Sequence, residues 1–106
     1  MEFELSERDG HLAITGAMNM YCACALKDAL LSAVRDRRGE ALIDLSGGSE
    51  IDTAGIQVLL MLRRLAAASG SRFAIIDPSA AVTEVLELYG LAGVIERHAP
   101  IEGAAS

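Results

Sequence analysis

Apolar and polar positions change period several times along the chain, and each change marks an element. In "FELSER", Phe3 and Leu5 alternate with Glu2, Glu4 and Ser6, which is the period of a half-buried strand. Asp9-Gly10 follows, a pair suited to the positive φ angles of a tight hairpin turn. "HLAIT" resumes the alternation through Leu12 and Ile14, and Gly16 is expected to end it. From Tyr21 to Arg38 the spacing becomes helical, with Cys22, Leu26, Ala29, Leu30, Ala33 and Val34 on one stripe and Gly39 as terminator.

"ALIDLS" reads as a short buried strand closed by Ser-Gly-Gly. A second helix is predicted over 54–69, stopped by Gly70. "RFAIID" gives another buried strand. A third helix follows, capped either by Ser79 or by Asp77 with Pro78 in the first position. Val82, Val85, Leu86 and Tyr89 are expected to line its core face, and Gly90-Leu91 to terminate it. "GVIERH" suggests a short edge strand, and residues 98–106 read as a loose tail. The order β-β-α-β-α-β-α-β means an α/β fold: a mixed sheet that opens with an antiparallel hairpin and continues through crossovers to parallel neighbours.

Composition narrows the function classes. The 106 residues fit a single domain, and 52% of them are apolar, enough for one core. Aromatics make up 4% and Trp is absent, so Leu, Ile, Val and Ala must fill that core. The net charge of −6 argues against nucleic acid and anionic membranes as partners, because both repel an acidic surface. "RDRRG" at Arg35 to Gly39 is the densest basic cluster, and it suits a helix C-terminus. The longest apolar run, Val58 to Leu62, is far short of the roughly 20 residues of a membrane span. "MEFELSERDG" carries no apolar signal-like core. A cytoplasmic protein without direct membrane insertion is expected.

Metal and cofactor chemistry have little to work with. Cys22 and Cys24 are the only cysteines, and two residues apart on a helix they diverge too far to clamp one ion. Neither His11 nor His98 sits in a motif that places a base beside a Ser or Thr nucleophile. Asp44 and Asp52 are the one pair of acids that suggests general acid–base work, with no evident pocket between them. "SGGSEIDTAG" joins a strand to a helix but lacks the Gly-Lys-Ser/Thr of a phosphate-binding loop. No enzymatic activity, cofactor or metal is expected.

The stretch "SEIDTAGIQ", Ser49 to Gln57, remains. Asp52 and Thr53 are both residue types that cap a helix, but one cap explains only one of them. At about 100° per residue, Val58, Leu62 and Leu65 cluster toward the core, with Leu59 and Ala66 beside them. Gln57, Arg63 and Arg64 lie opposite, and Ile56 and Leu60 fall in that same sector. Thr53, Ile56, Leu60, Arg63 and Arg64 thus read either as a docking stripe with a polar rim or as positions covered by neighbouring loops. A hydroxyl at the edge of a docking stripe suits a switch, since phosphorylation adds about −1.5 to −2 charges at a helix N-terminus that tolerates them.

"ALIDLSGGSEIDTAGIQVLL", "ITGAMNMYCACALKDALLSAV" and "IIDPSAAVTEVLELYGLAGVI" together resemble a STAS domain of the bacterial anti-anti-sigma factor type, from about Phe3 to Arg97. The resemblance implies a small α/β domain with helices on one face of its sheet. It implies a partner: an anti-sigma factor that is a Ser/Thr kinase of the histidine-kinase-like ATPase type. The unphosphorylated form would bind this partner, phosphorylation of Thr53 would release it, and a phosphatase would reset the switch. By the same resemblance Asp52 and Gly55 flank the acceptor and Asp44 ends the preceding strand. Many members carry Ser-Ser where this chain has Thr53-Ala54. Some with Asp-Thr are subunits of phospholipid-transport ATPases, with the threonine at a protein interface, and others accompany chemotaxis kinases.

Overall fold

The computed structural model describes residues 3–97. Its elements are β1 (Phe3–Arg8), β2 (His11–Met18), α1 (Ala23–Arg35), β3 (Ala41–Asp44), β4 (Gly48–Ile51), α2 (Thr53–Ala68), β5 (Phe73–Ile76), α3 (Ala80–Leu88) and β6 (Ile95–Glu96), with a single 3-10 turn at Ala92–Val94. The six strands form one mixed sheet in the order β1-β2-β3-β5-β6, with β4 paired to β2. β1 and β2 are antiparallel; the other pairs are parallel.

Local chemistry explains the boundaries. Asp9 and Gly10 both take positive φ, 53° and 82°, so the hairpin closes as a type I′ turn that keeps Phe3 opposite Gly16 and Arg8 opposite His11. Ser79, not Asp77, caps α3: its hydroxyl accepts from Val82 N at 3.2 Å. At the other end Leu91 N bonds Leu86 O and Gly90 N bonds Glu87 O. That double closure of the last turn needs the positive φ of Gly90. It also buries Leu91.

One apolar cluster joins the sheet to all three helices. Leu12 and Ile14 of β2, Ala41 and Ile43 of β3, and Ile75 of β5 meet Leu26, Leu30 and Val34 of α1, Val58, Leu59 and Leu62 of α2, and Val82 and Leu86 of α3. The helices therefore cover the same face. Each fully buried leucine contributes about 1.5–3 kcal/mol relative to exposure. α1 packs on α2 as well as on the sheet, and α3 lies along β4.

Several sequence expectations need correction. β2 does not stop at Gly16. It bulges there and runs on to Met18, pairing with β4, a strand that no periodicity in "GSEI" announces. β3 and β4 occupy successive lengths of the same β2 edge, joined by a jog in which Gly48 N bonds Leu45 O at 3.0 Å. α1 begins at Ala23 and ends at Arg35, two to three residues inside the predicted span at each end, because residues 19–22 form a separate turn closed by Cys22 N to Asn19 O. Tyr89 follows the last residue of α3 and is 45% exposed rather than core. The tail at 98–106, with His98, lies outside the described residues.

Candidate functional site

Asp52 is the N-cap of α2 in extended conformation, and its two carboxylate oxygens do different jobs. Oδ1 accepts from Gly55 N at 3.1 Å, satisfying one of the free N–H groups of the first turn. Oδ2 accepts from Met20 N at 2.9 Å, reaching back to the loop after β2. The Asp52 backbone N bonds Met18 O at 3.2 Å. One residue thus ties the start of α2 to the β2–α1 connection. Asn19 completes the tie: its Nδ2 donates to Glu50 Oε1 at 2.8 Å and its Oδ1 accepts from Tyr21 N at 3.0 Å.

Gly55 is what lets the two segments come so close. A Cβ there would stand 2.3 Å from Met18 O and 2.7 Å from Ile51 Cγ1. The first contact is with backbone, so it has no flexible way out. The glycine serves an approach within the chain.

Thr53 is the first residue of α2 and is exposed. Its Oγ1 lies 2.5 Å from the Tyr89 phenol oxygen, so the end of α3 reaches the start of α2. The large apolar side chains exposed among the described residues are Met20, Tyr21, Leu88 and Tyr89. Met20 is hydrogen-bonded to Asp52 and Tyr89 to Thr53, and Tyr21 and Leu88 are their chain neighbours. Exposed apolar surface therefore belongs to the two segments bonded to Asp52 and Thr53. Sequence reasoning missed these four residues. Met20 falls outside every predicted element, Tyr21 opens a predicted helix, and Leu88 and Tyr89 close an amphipathic one. The available signal was two aromatic–aliphatic pairs, Met-Tyr and Leu-Tyr, each beside an element boundary.

The predicted stripe along α2 divides. Gln57, Arg63 and Arg64 are exposed, and Leu60 is half-buried against the core cluster. Ile56 is fully buried within that cluster, so it cannot present itself to a partner. Helical spacing alone centres the buried face on Val58, Leu62 and Leu65. The true buried arc is centred nearer Leu59 and Ala66 and is wider, because α1 flanks α2 in addition to the sheet beneath it.

Asp44 and Asp52 are each bonded within a different turn. Asp44 is buried at the end of β3, where Oδ1 accepts from Ser46 N at 2.8 Å and from Ser46 Oγ at 2.7 Å. Oδ2 lies 3.8 Å from the Arg8 guanidinium. Asp44 thereby fixes the jog between β3 and β4. The two acids share no partner, and each secures its own turn. Cys22 is buried, with Sγ 3.2 Å from Ala17 O, and Cys24 is exposed. Among the described residues no group of three or more His, Cys, Asp or Glu could hold a metal ion, and no helix is long and apolar enough to cross a membrane.

The family model described as "Mlab, STAS domain" matches residues 1–96. Among solved structures, the chain is similar to the anti-sigma factor antagonist SpoIIAA in its unphosphorylated form, at 20% identity and a TM-score of 0.73, covering 97% of this chain and 92% of that one. It is similar also to the phosphorylated form of SpoIIAA, described as a Bacillus cell-fate determinant, at 19% identity and a TM-score of 0.66, covering 97% and 96%. An anti-sigma factor antagonist from Mycobacterium paratuberculosis matches at 21% identity and a TM-score of 0.72, covering 97% and 89%. At these identities the likeness is one of fold. No curated protein sequence resembles the chain closely enough to count as a relative.

Proposed function

The chain belongs to the STAS domain family, and from that membership we propose that it is a phosphorylation-controlled binding switch of the anti-anti-sigma type. The unmodified protein docks an anti-sigma factor that is also a histidine-kinase-like Ser/Thr kinase. The kinase transfers the γ-phosphoryl group of ATP to Thr53 Oγ1, ADP leaves, and the hydroxyl proton passes to the kinase's base. A phosphatase restores the hydroxyl. Gln57, Leu60, Arg63 and Arg64 extend the contact along α2, and Asp52 and Gly55 hold the acceptor in place.

The observation that carries this reading is the setting of Thr53. Its exposed hydroxyl stands between two segments that bear the large exposed apolar side chains Met20, Tyr21, Leu88 and Tyr89. Aromatic and methionine side chains are the usual centres of protein interfaces. A phosphate there sits comfortably on the helix N-terminus and badly against an apolar partner. The fold would persist while the interface failed. That one neighbour in fold is known in both unphosphorylated and phosphorylated forms is in keeping with such a role.

Measuring partner affinity for two variants tests the proposal. Thr53→Glu is expected to fold normally and lose the partner, and Thr53→Ala to bind whether or not ATP is present. If Thr53→Glu binds as tightly as the unmodified protein, the switch is wrong. A second reading is a constitutive adaptor subunit, as of a phospholipid-transport ATPase or a chemotaxis-associated complex. It is in keeping with the matching family model, described as "Mlab, STAS domain". It predicts a complex indifferent to ATP and no phosphothreonine at position 53 in cells.

A further inference from the structure

We propose that Tyr89 is a latch that passes the chemical state of Thr53 to the apolar surface at the end of α3. The latch rests on reading Thr53 as a phosphoacceptor. It adds a change of shape on α3 to the change of charge on α2.

The phenol of Tyr89 and the hydroxyl of Thr53 are hydrogen-bonded between the end of α3 and the start of α2, 36 residues apart in sequence. The backbone beneath Tyr89 is fixed. Tyr89 N bonds Val85 O at 3.1 Å, Leu91 N bonds Leu86 O at 2.8 Å, and Leu91 is buried. Above that backbone the Tyr89 side chain can rotate about its own χ angles. Tyr89 is 45% exposed while bonded to Thr53, and its neighbour Leu88 is 80% exposed. The bond to Thr53 therefore decides whether ring and leucine are presented together in one arrangement.

Phosphorylation removes the Thr53 proton and places three anionic oxygens around an atom that the phenol already crowds. The branched threonine side chain has few rotamers in which to avoid it. The N–H groups at the start of α2 draw the phosphate toward the helix end. The phenol gives up its seat on Oγ1, since the only acceptors left to it there are the outer phosphate oxygens, and the ring moves outward into solvent. An occupant that had packed on the latched ring then meets both a new charge and a displaced aromatic.

The sequence makes this measurable, because the chain has two tyrosines and no tryptophan. In a Tyr21→Phe background Tyr89 is the sole strong emitter, and collisional quenching of its fluorescence reports exposure of the ring. Phosphothreonine placed at position 53 during translation needs no kinase. Quenching should roughly double from the latched state, in which Tyr89 is 45% exposed. Thr53→Val, which keeps the shape and drops the hydroxyl, should also raise it. Thr53→Ser, which restores the hydroxyl, should leave it at the starting value, and far-ultraviolet circular dichroism should be alike for all. Equal quenching in the phosphorylated and unmodified proteins overturns the latch and leaves Thr53 free to be an acceptor by charge alone. Absence of phosphothreonine from protein isolated from its own cells overturns the acceptor reading, while the response to Thr53→Val still tests the bond itself.

Discussion

The two ends of α2 are built from the same helical pattern and do different work. At the C-terminal end Arg63, Arg64, Ala67 and Ala68 face solvent, and the chain leaves through Ser69 and Gly70 with backbone bonds to the preceding turn. Nothing beyond α2 itself depends on those side chains in the described structure. At the N-terminal end, three separate parts of the chain converge. Asp52 holds Met20 and Gly55, Gly55 presses on Met18, and Thr53 meets Tyr89. Such convergence is costly to build and easy to disturb. It leaves one exposed hydroxyl amid apolar side chains, and that end carries the proposed function.

This contrast gives graded outcomes. The largest effect is expected from Gly55→Val, whose Cβ must displace the Met18 backbone. Urea unfolding should show a loss of about 3 kcal/mol, against less than about 0.5 kcal/mol for Arg64→Ala at the other end. Next, Asp52→Ala should lose about 1–2 kcal/mol and speed amide exchange at both Met20 and Gly55, the two N–H groups its carboxylate accepts from. Comparable exchange in the variant and the original protein would falsify the bridging role of Asp52. Smaller still is Thr53→Glu, which should shift stability by no more than about 0.5 kcal/mol in either direction. A large loss there would mean that Thr53 is a structural residue and not a switch.

Much of the fold is legible in the sequence because it rests on local periodicity. The hairpin at Asp9-Gly10, the three amphipathic helices and the buried strands β3 and β5 all follow from spacing and turn chemistry. β4 is not legible. "GSEI" has two buried and two exposed positions, too few for a period, and it is a strand because the bulged end of β2 offers it an edge. The site is half legible. Asp52 and Thr53 are marked by cap chemistry, whereas spacing alone turns Ile56 outward and only the packing of α1 on α2 widens the buried arc to include it. Spacing likewise turns Tyr89 inward, because the helical period says nothing of a phenol that reaches another helix. Met20-Tyr21 and Leu88-Tyr89 are brought to the start of α2 only through contacts between elements distant in sequence.

The decisive measurement is the affinity of the captured kinase partner for the protein with and without phosphothreonine at position 53. The account predicts binding weaker by more than about thirtyfold, roughly 2 kcal/mol, as for a charge forced into an apolar interface. Equal affinity for the two forms would contradict it.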